Sequence, residues 1–164
     1  MSKEKKYRIG TYLILIPAIL FLFPKAYAQH ESKTINDSWK FHQGECEAAS
    51  SATYDDSAWN SIHLPHTWNT DAYTEKKYYQ GTGWYRRTLT LPQNWQTKQV
   101  FLKLDAASKA AAIYMNGRKI GEHNGGYTAC TFDITPFCSF DAPNSLAIHV
   151  DNARQDIPPI SADF

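Results

Sequence analysis

The chain has 164 residues, of which 20% are charged and 14% aromatic, with 17 Lys and Arg against 16 Asp and Glu. This length suits a single domain, and the many aromatic residues argue against an intrinsically disordered chain. A formal net charge of +1 leaves little positive charge to neutralise phosphates, so the composition disfavours a nucleic-acid-binding protein.

The N-terminus has the pattern of a secretory signal peptide. A basic stretch in residues 1–8 precedes an apolar segment, residues 12–23, and the small residues Ala26 and Ala28 follow. The apolar segment is shorter than the roughly 20 residues that span a bilayer, so a membrane anchor is the weaker alternative. We therefore predict cleavage after Ala28 and a periplasmic or secreted mature chain, residues 29–164, without a stable membrane anchor.

The mature chain reads as short strands and turns with almost no helix. Asn116-Gly117 predicts a type I′ turn, because both residues readily adopt positive φ. The pair Asp55-Asp56 begins a predicted turn or single helical segment. The recurrence of strands about every ten residues indicates an antiparallel β-sandwich. The predicted strands are residues 34–41, 61–64, 84–91, 100–104, 110–115, 118–122, 127–134 and 145–150.

The chain has three cysteines, Cys46, Cys130 and Cys138, which would enter an oxidising compartment after export. Their odd number leaves at least one unpaired, and the pairing of the others stays open. Cys130 alternates with Phe132 and Ile134, which favours a role as a small buried apolar side chain over a disulfide.

The remaining polar patterns point to no metal or cofactor. His63 and His66 are three residues apart, but no third ligand follows at a motif spacing, so we predict no metal site and expect His66 to hydrogen-bond within its loop. No Cys-x-x-Cys and no Gly-x-Ser-x-Gly occurs, which leaves a zinc site and a hydrolase triad unsupported.

Two sets of large side chains have predictable places in a sandwich. Trp39, Trp59 and Trp84 lie in or beside predicted strands, where we expect core positions. The sequence leaves open whether Trp68 and Trp95, which lie nearer to loops, are buried. Arg86 and Arg87 lie on opposite faces of one predicted strand. We expect one of them to face solvent and the other to find a carboxylate or carbonyl groups.

Seven short segments, taken in order, carry a family resemblance. The order resembles the N-terminal sugar-binding domain of family 2 glycoside hydrolases, which include β-galactosidases, β-glucuronidases and β-mannosidases. The resemblance covers nearly the whole mature chain. The segments are Tyr54-Asp55-Asp56-Ser57-Ala58-Trp59, Leu64-Pro65-His66-Thr67-Trp68-Asn69, Gly81-Thr82-Gly83-Trp84-Tyr85-Arg86-Arg87, Tyr114-Met115-Asn116-Gly117, Gly121-Glu122-His123-Asn124-Gly125-Gly126-Tyr127-Thr128, Phe132-Asp133-Ile134-Thr135 and Val150-Asp151-Asn152.

The resemblance implies a jelly-roll β-sandwich of the galactose-binding type, placed ahead of an immunoglobulin-like domain and a catalytic barrel. In that family the barrel supplies an acid/base and a nucleophilic glutamate about 5 Å apart, so we expect no catalytic residue in this chain. Relatives continue beyond the position of Phe164 into a strand resembling Tyr-Gly-Gly-Ile-Tyr-Arg-Asp-Val. We therefore expect the sandwich formed by this chain to lack its last strand.

The resemblance also implies two substrate-binding candidates. Asp163 matches a family aspartate that reaches into the pocket of the neighbouring barrel, where a carboxylate can accept hydrogen bonds from adjacent sugar hydroxyls. Gln80 stands where some β-galactosidases have an asparagine that touches the sugar.

These observations leave two functions. The first, which we favour, is the N-terminal domain of an exported family 2 glycosidase, with a β-linked glycoside or oligosaccharide and a catalytic barrel as its partners. The second is a free-standing carbohydrate-binding module without enzymatic activity.

Overall fold

In a computed structural model, the structure describes residues 30–69 and 78–153. The predicted signal segment, residues 1–28, and Asp163 lie outside this range. All the strands belong to the compact unit that begins at Thr34. A search of the described residues finds no helix with the length and apolar character that crossing a membrane requires.

Eight strands and three short 3-10 helices make up the described fold. The 3-10 helices are Glu47–Ser50, Gln93–Trp95 and Thr135–Phe137. The strands, in chain order, are β1 (Trp39–Gln43), β2 (Asn60–Ile62), β3 (Thr82–Leu89), β4 (Phe101–Leu104), β5 (Ala110–Met115), β6 (Arg118–Asn124), β7 (Cys130–Asp133) and β8 (Asn144–Asp151).

The strands form two antiparallel sheets that pack face to face. One sheet has six strands in the order β2-β1-β3-β8-β5-β6, and the other pairs β4 with β7. Because β3 pairs with β8 and β4 pairs with β7, the chain crosses between sheets, as in jelly rolls. The main core contains Ile113 and Leu146 from the larger sheet and Leu102 from the smaller one. The predicted antiparallel β-sandwich is confirmed.

The predicted hairpin joins β5 and β6. Asn116 has a φ of 52° and Gly117 a φ of 81°, as a type I′ turn requires. Met115 pairs with Arg118 directly across the turn. The local sequence therefore identified both the position and the type of this turn.

The tryptophans expected in the core occupy it, but on two faces of the larger sheet. Trp39 packs in the main core between the sheets and is 2% exposed. Trp59 and Trp84 form a smaller buried cluster with Ala49 and Ala147. Ala49 belongs to the first 3-10 helix, so this cluster buries the opposite face of the sheet beneath the segment between β1 and β2.

The segment Asn124-Gly125-Gly126 lies at the end of β6 and carries the chain out of the larger sheet. Gly125 has a φ of 143° and its N–H donates to the carbonyl of Lys109 at 2.6 Å. The chain then leaves the larger sheet, and Cys130 pairs with Leu104 of β4 in the smaller one. The glycines therefore redirect the chain between layers.

Candidate functional site

The loop that carries Gln80 lies at the end of the sandwich where β3 begins and β8 ends. Thr82, the first residue of β3, pairs with Asp151, the last residue of β8. Gln80 is exposed two residues before β3. The described range ends at Ala153, just beyond β8. Asp163 itself lies outside the described residues.

Asn152 fixes this loop by hydrogen bonds to both sides of Gln80. Its side-chain Oδ1 accepts from the backbone N–H of Gly81 at 2.8 Å, and its Nδ2 donates to the carbonyl of Tyr79 at 3.1 Å. Its backbone N–H donates to the carbonyl of Gly81 at 3.0 Å. Asn152 is only 8% exposed, so these bonds satisfy an amide that would be costly to bury alone.

Asn69 holds the same loop from the other side. Its Oδ1 accepts from the backbone N–H of Tyr79 at 2.6 Å, and its Nδ2 donates to the Tyr79 carbonyl at 3.4 Å. The Tyr79 hydroxyl donates to the carbonyl of Thr82 at 3.0 Å, and its ring meets that of Trp68 edge to face. We call the contacts of Asn69 and Asn152 with Tyr79 and Gly81 the asparagine clamp.

Aromatic side chains surround a cleft beside the clamp. The cleft has a volume of about 650 Å³ and reaches from the clamp down to the inner face of the larger sheet. Tyr78 and Tyr127 line it and are 65% and 68% exposed, whereas Trp39 and Val150 belong to the buried core. The cleft therefore has an apolar floor and exposed tyrosine side chains.

His66 and Trp68 also line the cleft, and both contact Tyr85 of β3. Trp68 Nε1 donates to the Tyr85 hydroxyl at 2.7 Å, and His66 Nδ1 lies 3.0 Å from the same oxygen. Burial lowers the pKa of His66 and raises the pKa of Tyr85 to about 12. Burial thus disfavours the charged form of both side chains, and a hydrogen bond joins His66 Nδ1 to the Tyr85 hydroxyl. The expectation that His66 bonds within its own loop is wrong, because the nearest buried hydroxyl belongs to β3.

Histidine and cysteine side chains do not gather into a metal site in the described ranges. Among those residues no group of three or more His, Cys, Asp or Glu side chains could hold a metal ion. Cys46, Cys130 and Cys138 are free and half-buried. The predicted alternation is confirmed, since Cys130 and Phe132 are half-buried and Ile134 is buried. Burial raises the pKa of Cys130 and brings that of Cys138 to about 11, which disfavours reactive thiolates.

Arg86 and Arg87 lie on opposite faces of β3, and the structure shows what covers each of them. Arg86 is 3% exposed and donates to Asp56 at 2.9 Å and to backbone carbonyls, so the expectation that the covered arginine finds a carboxylate or carbonyl groups is confirmed. Arg87 does not face open solvent as expected. It is half-buried on the inner face, where its Nη1 donates to the carbonyl of Ile35 at 2.9 Å, because the chain before β1 folds over it.

The sequence alone singled out Gln80 but not the residues that hold it. In the sequence, Asn152 and Asn69 stand only at the ends of two of the segments that carry the resemblance. Nothing in the sequence pairs Asn152 with Gly81, because 71 positions separate them.

Comparison with known proteins places the fold in a family. Residues 25–157 match the family described as glycosyl hydrolases family 2, sugar binding domain. The crystal structure of Bacteroides uniformis beta-glucuronidase is 72% identical, with a TM-score of 0.77. The match covers 80% of this chain and 16% of that one.

Two curated relatives are similar over a comparable part of their length. A beta-glucuronidase of Bacteroides fragilis is 32% identical over 162 residues, which are 95% of this chain and 21% of the relative. A beta-galactosidase of Bacteroides ovatus is 30% identical over 134 residues, which are 76% of this chain and 16% of the relative. The chain thus spans about a fifth or less of the length of these relatives. Because the family match extends over all of the described sandwich, the chain belongs to the sugar binding domain family of the family 2 glycosyl hydrolases.

Proposed function

We propose that this chain acts as the N-terminal sugar-binding domain of an exported family 2 glycosidase. In this role the sandwich supports a catalytic barrel and lends polar side chains to the glycoside held there. The observation that carries the proposal is the family match over residues 25–157 of an antiparallel sandwich. The bond-breaking glutamates belong to the barrel, so the chain by itself should hydrolyse nothing.

A β-linked glycoside is the proposed substrate class, and a β-glucuronide is the one to test first. The 72% identical structure is that of a beta-glucuronidase, and curated relatives include both beta-glucuronidases and beta-galactosidases. Asp163 and Gln80 are the proposed sugar contacts from this domain. In such a barrel the bond-breaking chemistry is that of a pair of carboxylates, an acid/base and a nucleophile.

Export to the periplasm or the medium is part of the proposal. It rests on the basic, apolar and small-residue order of residues 1–28. N-terminal sequencing of the protein recovered from an exporting host tests it, with Gln29 expected as the first residue. A retained Met1 would contradict export by cleavage.

The coding sequence downstream of Phe164 tests the central proposal. A reading frame that continues into a barrel with paired glutamates would support a glycosidase domain. An assay of the 164-residue chain with nitrophenyl β-glucuronide and β-galactoside is the second arm, and we expect no turnover. Turnover that Asp163→Ala abolishes would contradict the assignment of catalysis to the barrel and would place it in this chain.

A further inference from the structure

The loop before β3 combines a fixed backbone with two exposed side chains. We propose that Asn152 is a positioning residue that, with Asn69, holds this loop so that the Tyr78 ring and the Gln80 amide contact one saccharide. The inference rests on the proposed function and extends it, because it adds a stacking residue and the residues that hold it.

Tyr78 and Gln80 share the same exposure in the loop before β3. Tyr78 is exposed, Tyr79 is half-buried and Gln80 is exposed. In an extended chain such alternation puts residues two apart on the same side. Tyr79 points instead toward Trp68 and the Thr82 carbonyl. Tyr78 lines the cleft, and Gln80 is exposed two residues later, between the two residues that the clamp holds.

Their chemistry suits a saccharide. An exposed aromatic face can pack against the C–H face of a pyranose ring, and Tyr78 is 65% exposed. A glutamine amide offers two donors and a carbonyl acceptor, enough to bond two neighbouring hydroxyls. Neither side chain carries a charge, so this pair recognises ring shape and hydroxyls.

The clamp removes the freedom that such a contact would otherwise have to lose on binding. Tyr79 and Gly81, which flank Gln80, are both bonded to Asn152. A Cβ on Gly81 would lie 2.6 Å from the Tyr79 hydroxyl, so the backbone and the ring are packed at closest approach. A loop that is ordered before binding loses less conformational entropy when the ligand binds. The same contacts therefore give tighter binding.

Glycoside titration of the full chain by NMR tests the inference. The probes are methyl β-D-glucuronide and methyl β-D-galactoside, with glycerol as the control for non-specific polyol effects. In the wild-type chain we expect the amides of Tyr78, Gln80 and Gly81 to shift with a glycoside and not with glycerol. Hydrogen exchange of the Gly81 amide reports the clamp independently of any ligand.

The variants separate positioning from contact. Asn152→Ala should speed Gly81 exchange and weaken glycoside binding by about tenfold, since two side-chain hydrogen bonds to the loop are lost. Asn152→Asp keeps the acceptor for the Gly81 amide but sets a carboxylate oxygen against the Tyr79 carbonyl, so it should recover Gly81 protection and glycoside binding only in part. Asn60→Ala, at an exposed position of β2, should leave both measurements unchanged.

The outcomes separate the positioning role of Asn152 from the sugar contact of the loop. Fast Gly81 exchange in Asn152→Ala with unchanged glycoside affinity would overturn the positioning role but leave the proposed sugar contact intact. No shift in the wild-type chain would overturn the inference that this loop contacts a saccharide, and the positioning role with it, whereas the proposed function rests on the family match over residues 25–157 and would stand. Should Asn152→Ala lose its fold, judged by exchange of the β5 and β6 amides, Asn69→Ala removes the other half of the clamp and takes its place.

Discussion

Arg86 and Asp56 form a hydrogen-bonded ion pair of 2.9 Å on the outer face of the larger sheet, 30 positions apart in the chain. The guanidinium also donates to the carbonyls of Ser51 and Tyr54 at 3.0 and 3.4 Å, and to that of Ala49. One buried cation thus holds the whole segment between β1 and β2 against the sheet.

Removal of Arg86 should therefore destabilise the fold strongly. Arg86→Ala leaves the buried Ala49 carbonyl, the carbonyls of Ser51 and Tyr54 and the half-buried Asp56 carboxylate without their donor. We expect a loss of about 3 kcal/mol in the free energy of unfolding. Urea denaturation measures this. Lys103→Ala is the control, because the Lys103–Asp105 pair is exposed and should contribute within about 0.5 kcal/mol. Equal midpoints for the two variants would refute this role of Arg86.

The stability of the domain should fall as the pH drops below the ordinary histidine range. Burial lowers the pKa of His66 in the folded state, so the unfolded chain binds a proton first. Stability from this group is complete above a pH of about 6.5 and is lost as the pH falls toward the lower folded value. Thermal melts between pH 5 and 8 measure this.

The variant His66→Gln should flatten that pH dependence, because it removes the titrating ring and keeps an acceptor for Tyr85. His63→Gln is the matched control, since the His63 side chain is 78% exposed. If the pH dependence of stability survives in His66→Gln and vanishes in His63→Gln, it comes from His63 and this prediction is wrong.

Gly83 should not tolerate a side chain. A Cβ there would lie 2.7 Å from the Trp68 ring and 2.9 Å from the Phe41 ring, two rings that pack against each other. We expect Gly83→Ala to cost about 1–3 kcal/mol through overpacking. A Cβ on Gly126 would have its nearest neighbour 3.7 Å away, so Gly126→Ala should be close to neutral. Thermal denaturation of both variants measures the difference. Similar melting temperatures for both variants would contradict the close approach at Gly83.

Two buried tryptophans should respond differently to the same substitution. Trp39 Nε1 donates to the Ile35 carbonyl at 2.6 Å, whereas Trp84 Nε1 is buried without a hydrogen-bond partner in the described residues. Both indoles lose comparable apolar area on replacement by Phe. Trp39→Phe should therefore be more destabilising than Trp84→Phe, by about 1 kcal/mol. Denaturant unfolding gives the comparison, and the reverse order would show that packing outweighs the hydrogen bond.

Strand spacing, the type I′ turn and the three core tryptophans were predictable because each follows from local periodicity or from one pair of residues. The partner of Arg86 was predictable only as a kind of group, since the strand pattern says that a face is covered but not by which segment. His66 shows the limit most clearly. Its loop position says nothing of Tyr85, which β3 brings to it.

By itself, the sequence determined the alternation of strands and turns, the fold class and the position of Gln80 before a strand. Only the tertiary structure decided that Asn152 reaches back to Gly81, that Asn69 closes the clamp, and that Tyr78 lines the cleft beside it. The reason is physical. Alternation and turn preferences act between neighbours along the chain, whereas hydrogen bonds across sheet ends depend on the register of β3 with β8, which the packed core of the whole sandwich sets.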